Sequence, residues 1–184
     1  SYLNLTIAVV DTPLLGATFS GAFTPFTSIS AGDMAACGVT TQADLFCWGS
    51  AQYGLLAQGS LDKVGLGGPQ TGLEIQPISL PGMTTNVSVG KKHVCAISGG
   101  DLYCWGHPQY GRIGNGASST TQIFGDEPEE VGESMTPVDL GTSFTPVSVS
   151  VAEHHTCVLS DAGAVRCFGW GFHGRLGTGS TQTH

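Results

Sequence analysis

Three times the chain sets two cysteines nine or ten positions apart around a short turn signal, and this spacing restricts the fold more than any other feature. In VCAISGGDLYCWG, Val94 to Gly106, the centre is Gly99-Gly100. A Gly-Gly pair suits the left-handed angles of a two-residue hairpin turn. Counting outward, Ser98 faces Asp101, Ile97 faces Leu102, Ala96 faces Tyr103 and Cys95 faces Cys104. Antiparallel pairs alternate, beginning with the hydrogen-bonded pair beside the turn, so the cysteines form a non-hydrogen-bonded pair with Cα atoms about 4.5 Å apart. That separation is short but accessible to a disulfide. Cys157 and Cys167 enclose one more residue, which a three-residue loop ending in Gly163 absorbs. Cys37 and Cys47 repeat that spacing with Thr41-Gln42-Ala43 as the loop, although alanine is a poorer left-handed residue. The expectation is three stapled hairpins, Cys37–Cys47, Cys95–Cys104 and Cys157–Cys167, with no thiol left over.

The flanks repeat as well. CWGSAQYGLLA, CWGHPQYGRIG and CFGWGFHGRLG follow the second cysteines, and ISAGDMAAC, VSVGKKHVC and VSVAEHHTC lead to the first. Between blocks, QPISL (76–80) matches TPVDL (136–140), and TPLLG (12–16) reads as the same element of an earlier unit. Cys47 to Cys104 spans 57 residues and Cys104 to Cys167 spans 63. A period of this size, built from short alternating strands and glycine turns, marks a repeat architecture of propeller blades.

The composite pattern G-x-x-H-x-C-x-L-x-x-x-G-x-V-x-C-W-G-x-x-x-x-G-x-L-G resembles the regulator-of-chromosome-condensation repeat, in the cysteine-bearing form of exported proteins. The resemblance covers residues 12–184 and implies an all-β propeller of about seven four-stranded blades. It places strands of one unit near 87–89, 93–97, 101–105 and 136–140. The division that follows is 1–27 as an N-terminal segment carrying the end of a preceding blade, then repeats at 28–80, 81–140 and 141–184, the third truncated. Three repeats make an incomplete ring, to be finished by further blades of the same polypeptide or by a neighbour. Ala35, Ala152, Phe168 and Ala57 depart from the pattern, where it has histidine, glycine, tryptophan and glycine.

Charge and cysteine usage set the compartment and exclude one class of partner. Six Lys and Arg oppose fourteen Asp and Glu, a formal charge of −8, and the largest basic cluster is Lys91-Lys92. Such a chain lacks the cations that displace counterions from nucleic acid, so no nucleic-acid partner is expected. Three local disulfides require an oxidising compartment, so the chain is expected to be extracellular, secreted or in the secretory lumen. The sequons Asn4-Leu5-Thr6 and Asn86-Val87-Ser88 fit a glycoprotein, with Asn86 expected in the turn before a strand. No apolar run reaches membrane-spanning length, and LTIAVV is too short for a signal peptide, so no direct membrane insertion is expected. Beginning at Ser1, the chain reads as a processed or partial product.

Catalytic signals are thin. His93 and His155 occupy one repeat position, which favours a structural bond between blades over ligation. HExxH, GxSxG and P-loop patterns are absent from the sequence, and no cofactor or metal is implied. The acidic run GDEPEEVGES (125–134) offers hard oxygen ligands for calcium, but its spacing fits no EF-hand, and a solvated loop is the simpler reading. SLDKVGLGGPQTGLE (60–74) reads as a rim loop. Trp170, which the repeat does not require, and Phe172 form a possible interface; packing on the adjacent blade is favoured, and glycan binding has no specific support. The expected function is a non-catalytic protein-interaction or structural module of a larger extracellular assembly. The alternative is a secreted inhibitor or receptor ectodomain that grips one specific protein through its rim loops.

Overall fold

Among the described residues of the computed structural model, glycine turns cut the apolar alternation into ten short strands, which group into three antiparallel sheets. The structure describes residues 25–61 and 75–183. TPLLG, Asn4 and residues 62–74 of the glycine-rich insertion lie outside them. The first sheet holds β1 (Phe26–Ala31), β2 (Ala35–Thr40), β3 (Leu45–Gly49) and β4 (Pro77–Ile78) in sequence order. The second holds β5 (Thr84–Val89), β6 (His93–Ser98) and β7 (Asp101–Gly106), and the third β8 (Pro146–Val151), β9 (His155–Ser160) and β10 (Val165–Gly169).

Register follows the cysteine count. Cys95 is opposite Cys104 and Ser98 opposite Asp101, and Cys37–Cys47 and Cys157–Cys167 are likewise directly paired. All three pairs are disulfides with Cα–Cα 4.1 Å, the narrow spacing of non-hydrogen-bonded partners. Ala43 does take the left-handed conformation its loop demands, at φ 67°.

The second sheet departs from the expected fourth strand. TPVDL carries one bond to β7, from Val138 N–H to Leu102 O at 2.8 Å, and forms no ladder. Pro137 has no N–H with which to donate another.

Each inner strand, β1, β5 and β8, carries a bulge at the same place, and the strands are tied to each other by side chains. Ser30 Oγ accepts the Val89 N–H at 2.9 Å, and Ser88 Oγ accepts the Val151 N–H at 2.9 Å. Asn86 Oδ1 accepts the Val149 N–H at 3.1 Å. The unpaired edges of β5 and β8 are thereby satisfied by the blade before each. Asn86 accordingly sits inside β5, not in the preceding turn, because the bulged strand begins at Thr84 rather than Val87.

Two apolar clusters fill the seams between sheets. Val39, Leu45, Leu55, Val87, Val94 and Trp105 belong to the first, and Ile97, Leu102, Leu140, Val149 and Val158 to the second. Among the described residues, the outward faces of the first and third sheets have no such cover. Ile29 is 68% exposed, whereas Val87 and Val149 at the same repeat position are 7% and 6%. Leu159 and Val165 are 39% and 62% exposed, against 2% and 1% for their counterparts Ile97 and Leu102. The three described sheets are propeller blades in an incomplete ring.

Candidate interaction surface on the turn-bearing rim

After β3, β7 and β10 the chain makes the same 3₁₀ turn, at Gln52–Gly54, Gln109–Gly111 and Phe172–Gly174. The central residue of each is left-handed, with Tyr53 at φ 63°, Tyr110 at 66° and His173 at 63°. For a residue with a side chain this costs on the order of 1 kcal/mol. The tyrosine rings recover contact in exchange. Lys92 Nζ lies 5.0 Å from the Tyr53 ring centre, and His107 meets that ring edge-on at 5.5 Å. Tyr110 takes Arg112 at 5.6 Å and His154 edge-on at 5.6 Å.

Trp170 packs as its glycine neighbours allow. It stacks on Tyr110 of the preceding blade at 5.2 Å and 16°, and on Phe172 at 5.2 Å and 11°. Arg175 lies over the indole at 4.5 Å, and the Trp170 backbone N–H donates to His154 O at 2.9 Å. Trp170 is thus half-buried, while Phe172 stays 47% exposed at the end of the stack.

The repeat histidine His93 lies in the seam. Thr156 Oγ1 donates to Arg112 O at 2.9 Å and meets His93 Nε2 at 2.8 Å. The hydroxyl has one proton, so His93 Nε2–H must be the donor to Thr156. Burial, then the Arg112 charge and the nearby His155 and His154, hold the His93 pKa well below the ordinary histidine value. Arg112 is fully buried and donates to Gln109 O at 2.7 Å, Glu153 O at 2.9 Å and Gln109 Oε1 at 3.2 Å. Burial lowers its pKa. His155, at the same repeat position on the uncovered third blade, is only half-buried. Burial pushes the pKa of His107, His154 and His155 down too.

The acidic run keeps Glu127, Glu129 and Glu133 exposed, and its first half is anchored to the first repeat. Gly125 packs against Gly54 and Trp105, Pro128 lies against Gly59, and Glu130 Oε2 accepts the Gly125 N–H at 3.2 Å. Burial raises the Glu130 pKa. Among the described residues no group of three or more His, Cys, Asp or Glu is arranged to hold a metal. Sequence reasoning passed over Ser30, Ser88, Arg112 and Thr156. The serines recur in ISA and VSV, which was a usable signal; Thr156 and Arg112 differ between repeats, and only their meeting reveals them.

Residues 26–55 match the family model of the regulator of chromosome condensation (RCC1) repeat. The ultraviolet-B receptor UVR8 of Arabidopsis thaliana is 31% identical over 163 residues, which is 85% of this chain and 32% of that protein. The human E3 ubiquitin-protein ligase HERC2 is 27% identical over 177 residues, 94% of this chain and 3% of that protein. The chain therefore spans a third or less of these relatives. Human WBSCR16 superposes with TM-score 0.67 at 16% identity, covering 91% of this chain and 40% of that one. Prp20p of Saccharomyces cerevisiae gives 0.61 at 22%, covering 86% and 36%.

Proposed function

Because the chain carries RCC1 repeats in a propeller fold, we propose that it is a non-catalytic protein-interaction module of a larger extracellular assembly. The observation that carries this reading is the rim, where Phe172 stands exposed on a stack built from two blades. Exposed aromatic groups on a rigid base are typical anchors for protein partners. His93 donates to Thr156 in the seam and His154 packs against Tyr110 and Trp170, which supports a structural role for these two histidines. Prp20p, which shares the fold, has binding properties to Gsp1p and histones. Binding of protein partners by such propellers supports the same kind of role here, with different partners.

Placement outside the cytosol rests on the three short-range disulfides, which a reducing cytosol would not maintain. We divide the chain into repeats at 28–80, 81–140 and 141–184 after a segment 1–27 that ends a preceding blade. The uncovered apolar positions at both ends call for further blades from the same polypeptide or a neighbour. Asn4 is the sequon assigned a glycan. At Asn86 the carboxamide already serves the inter-blade bond to Val149.

The test is affinity capture with the folded, oxidised chain from the secreted fraction of its source, with cysteine state read in the native protein by differential alkylation. A discrete protein partner and six blocked cysteines are expected. Free thiols in the native protein would overturn the extracellular reading, and failure to retain any protein would overturn the module.

A further inference from the structure

The chain is acidic, yet its cations are concentrated. Of the five Lys and Arg among the described residues, four lie on the turn-bearing rim: Lys91, Lys92, Arg112 and Arg175. The fifth, Arg166, lies over Phe144 elsewhere. Lys91 is taken by Glu153 at 3.1 Å, a carboxylate that also meets His154 at 3.4 Å. Arg112 is buried. Lys92 and Arg175 have no carboxylate partner among the described residues, and each instead lies over an aromatic ring. A cation held on an aromatic face is pre-positioned, and its remaining donors are free for an incoming anion. Asp33, exposed near Lys91, and the engaged Glu153 are the acidic groups close by.

We propose that this rim binds an acidic, aromatic-bearing protein segment. Its carboxylates take Lys92 and Arg175, and its aromatic side chain extends the Trp170–Phe172 stack. The inference deepens the interaction-module reading and rests on it. Charge complementarity selects the partner: two cations without a carboxylate partner among the described residues, on the rim that carries the aromatic anchor, suit a few carboxylates beside an apolar group. A nucleic acid would need many more neutralised phosphates for useful affinity.

The experiment uses the full oxidised chain and a dye-labelled peptide of alternating Glu and Tyr, read by fluorescence anisotropy. A Gln-Tyr peptide and a heparin oligosaccharide serve as competitors. The Glu-Tyr peptide is expected to bind and to weaken as ionic strength rises from about 0.05 to 0.3 M. Lys92→Glu and Arg175→Glu should each weaken it roughly tenfold, Phe172→Ser should weaken it as well, and Arg166→Glu should leave it unchanged. Unchanged melting temperatures would confirm that the variants remain folded. Equal binding of the Gln-Tyr peptide, indifference to the Lys92 and Arg175 changes, or tighter binding of heparin would overturn the proposal. So would a rim-dependent dimer of the chain that excludes the peptide. If the protein captured from the secreted fraction still binds the Lys92→Glu, Arg175→Glu double variant undiminished, the module reading stands and this surface falls.

Discussion

The two seams between blades use the same backbone positions with opposite chemistry. Between the first and second blades the four positions are Ala35, Leu55, Val94 and Trp105, all buried and packed in one apolar cluster. Between the second and third they are His93, Arg112, Thr156 and Phe168. One carbonyl explains why the four change together. In the first seam Leu55 O accepts the Trp105 indole N–H at 3.0 Å. Phe168 in the place of Trp105 has no N–H to give, and Thr156 donates to Arg112 O instead, at 2.9 Å. The threonine then needs a donor of its own, and His93 supplies it where the first blade has Ala35. A buried carbonyl must be satisfied, but the fold does not dictate which strand satisfies it. The first solution is one bond within apolar packing. The second is a linked network, whose members are expensive to remove singly.

Thr156→Val should therefore have the largest effect, because it orphans both His93 Nε2–H and Arg112 O in a fully buried site. A loss of about 3 kcal/mol is expected in denaturant melts. Adding Phe168→Trp and His93→Ala rebuilds the first seam's solution and should recover more than half of that loss. Three effects that simply add would show that the network is not one unit.

In the opposite seam, Trp105→Phe removes the single donor to Leu55 O and should cost about 2 kcal/mol. Val94→Thr introduced on that background supplies the hydroxyl the third blade uses, and should restore part of the melting temperature. If it lowers stability further, the two seams are less alike than their backbones suggest.

The smallest effect is on pH dependence. His93 is held neutral in the fold, with its pKa well below the ordinary value, while in the unfolded chain it titrates near about 6.5. Below that pH the unfolded state binds more protons, so stability is full above it and is lost as pH falls toward the depressed folded value. The first seam has Ala35 at that position and contributes nothing of the kind. Melting temperature should decline between about pH 7 and pH 5. The decline should be shallower in the His93→Ala, Phe168→Trp, Thr156→Val chain, with a residual slope from His107, His154 and His155. Identical slopes would mean that His93 is not the group being titrated.

The sequence by itself determined what is local. Hairpin register, the three disulfides, the left-handed turn residues and the repeated blade all follow from spacing, because a two- or three-residue turn fixes which residues face each other. Trp170 was legible in the same way: Gly169 and Gly171 beside it left room for a partner, and the partner proved to be Tyr110 of the preceding blade. What only the tertiary structure decided is how successive blades meet. Asn86 looked like a turn residue until the bulge in β5 placed its carboxamide on the next blade. The acidic run reads as a solvated loop, and only the structure shows where Gly125 and Pro128 anchor it against the first repeat. His93 and Thr156 are 63 residues apart, and neither residue names the other. A turn couples neighbours along the chain, so its geometry is written in consecutive residues. A seam couples positions one repeat apart, and the same backbone accepts either an indole or a hydroxyl there, so the choice becomes visible only when both blades are in place.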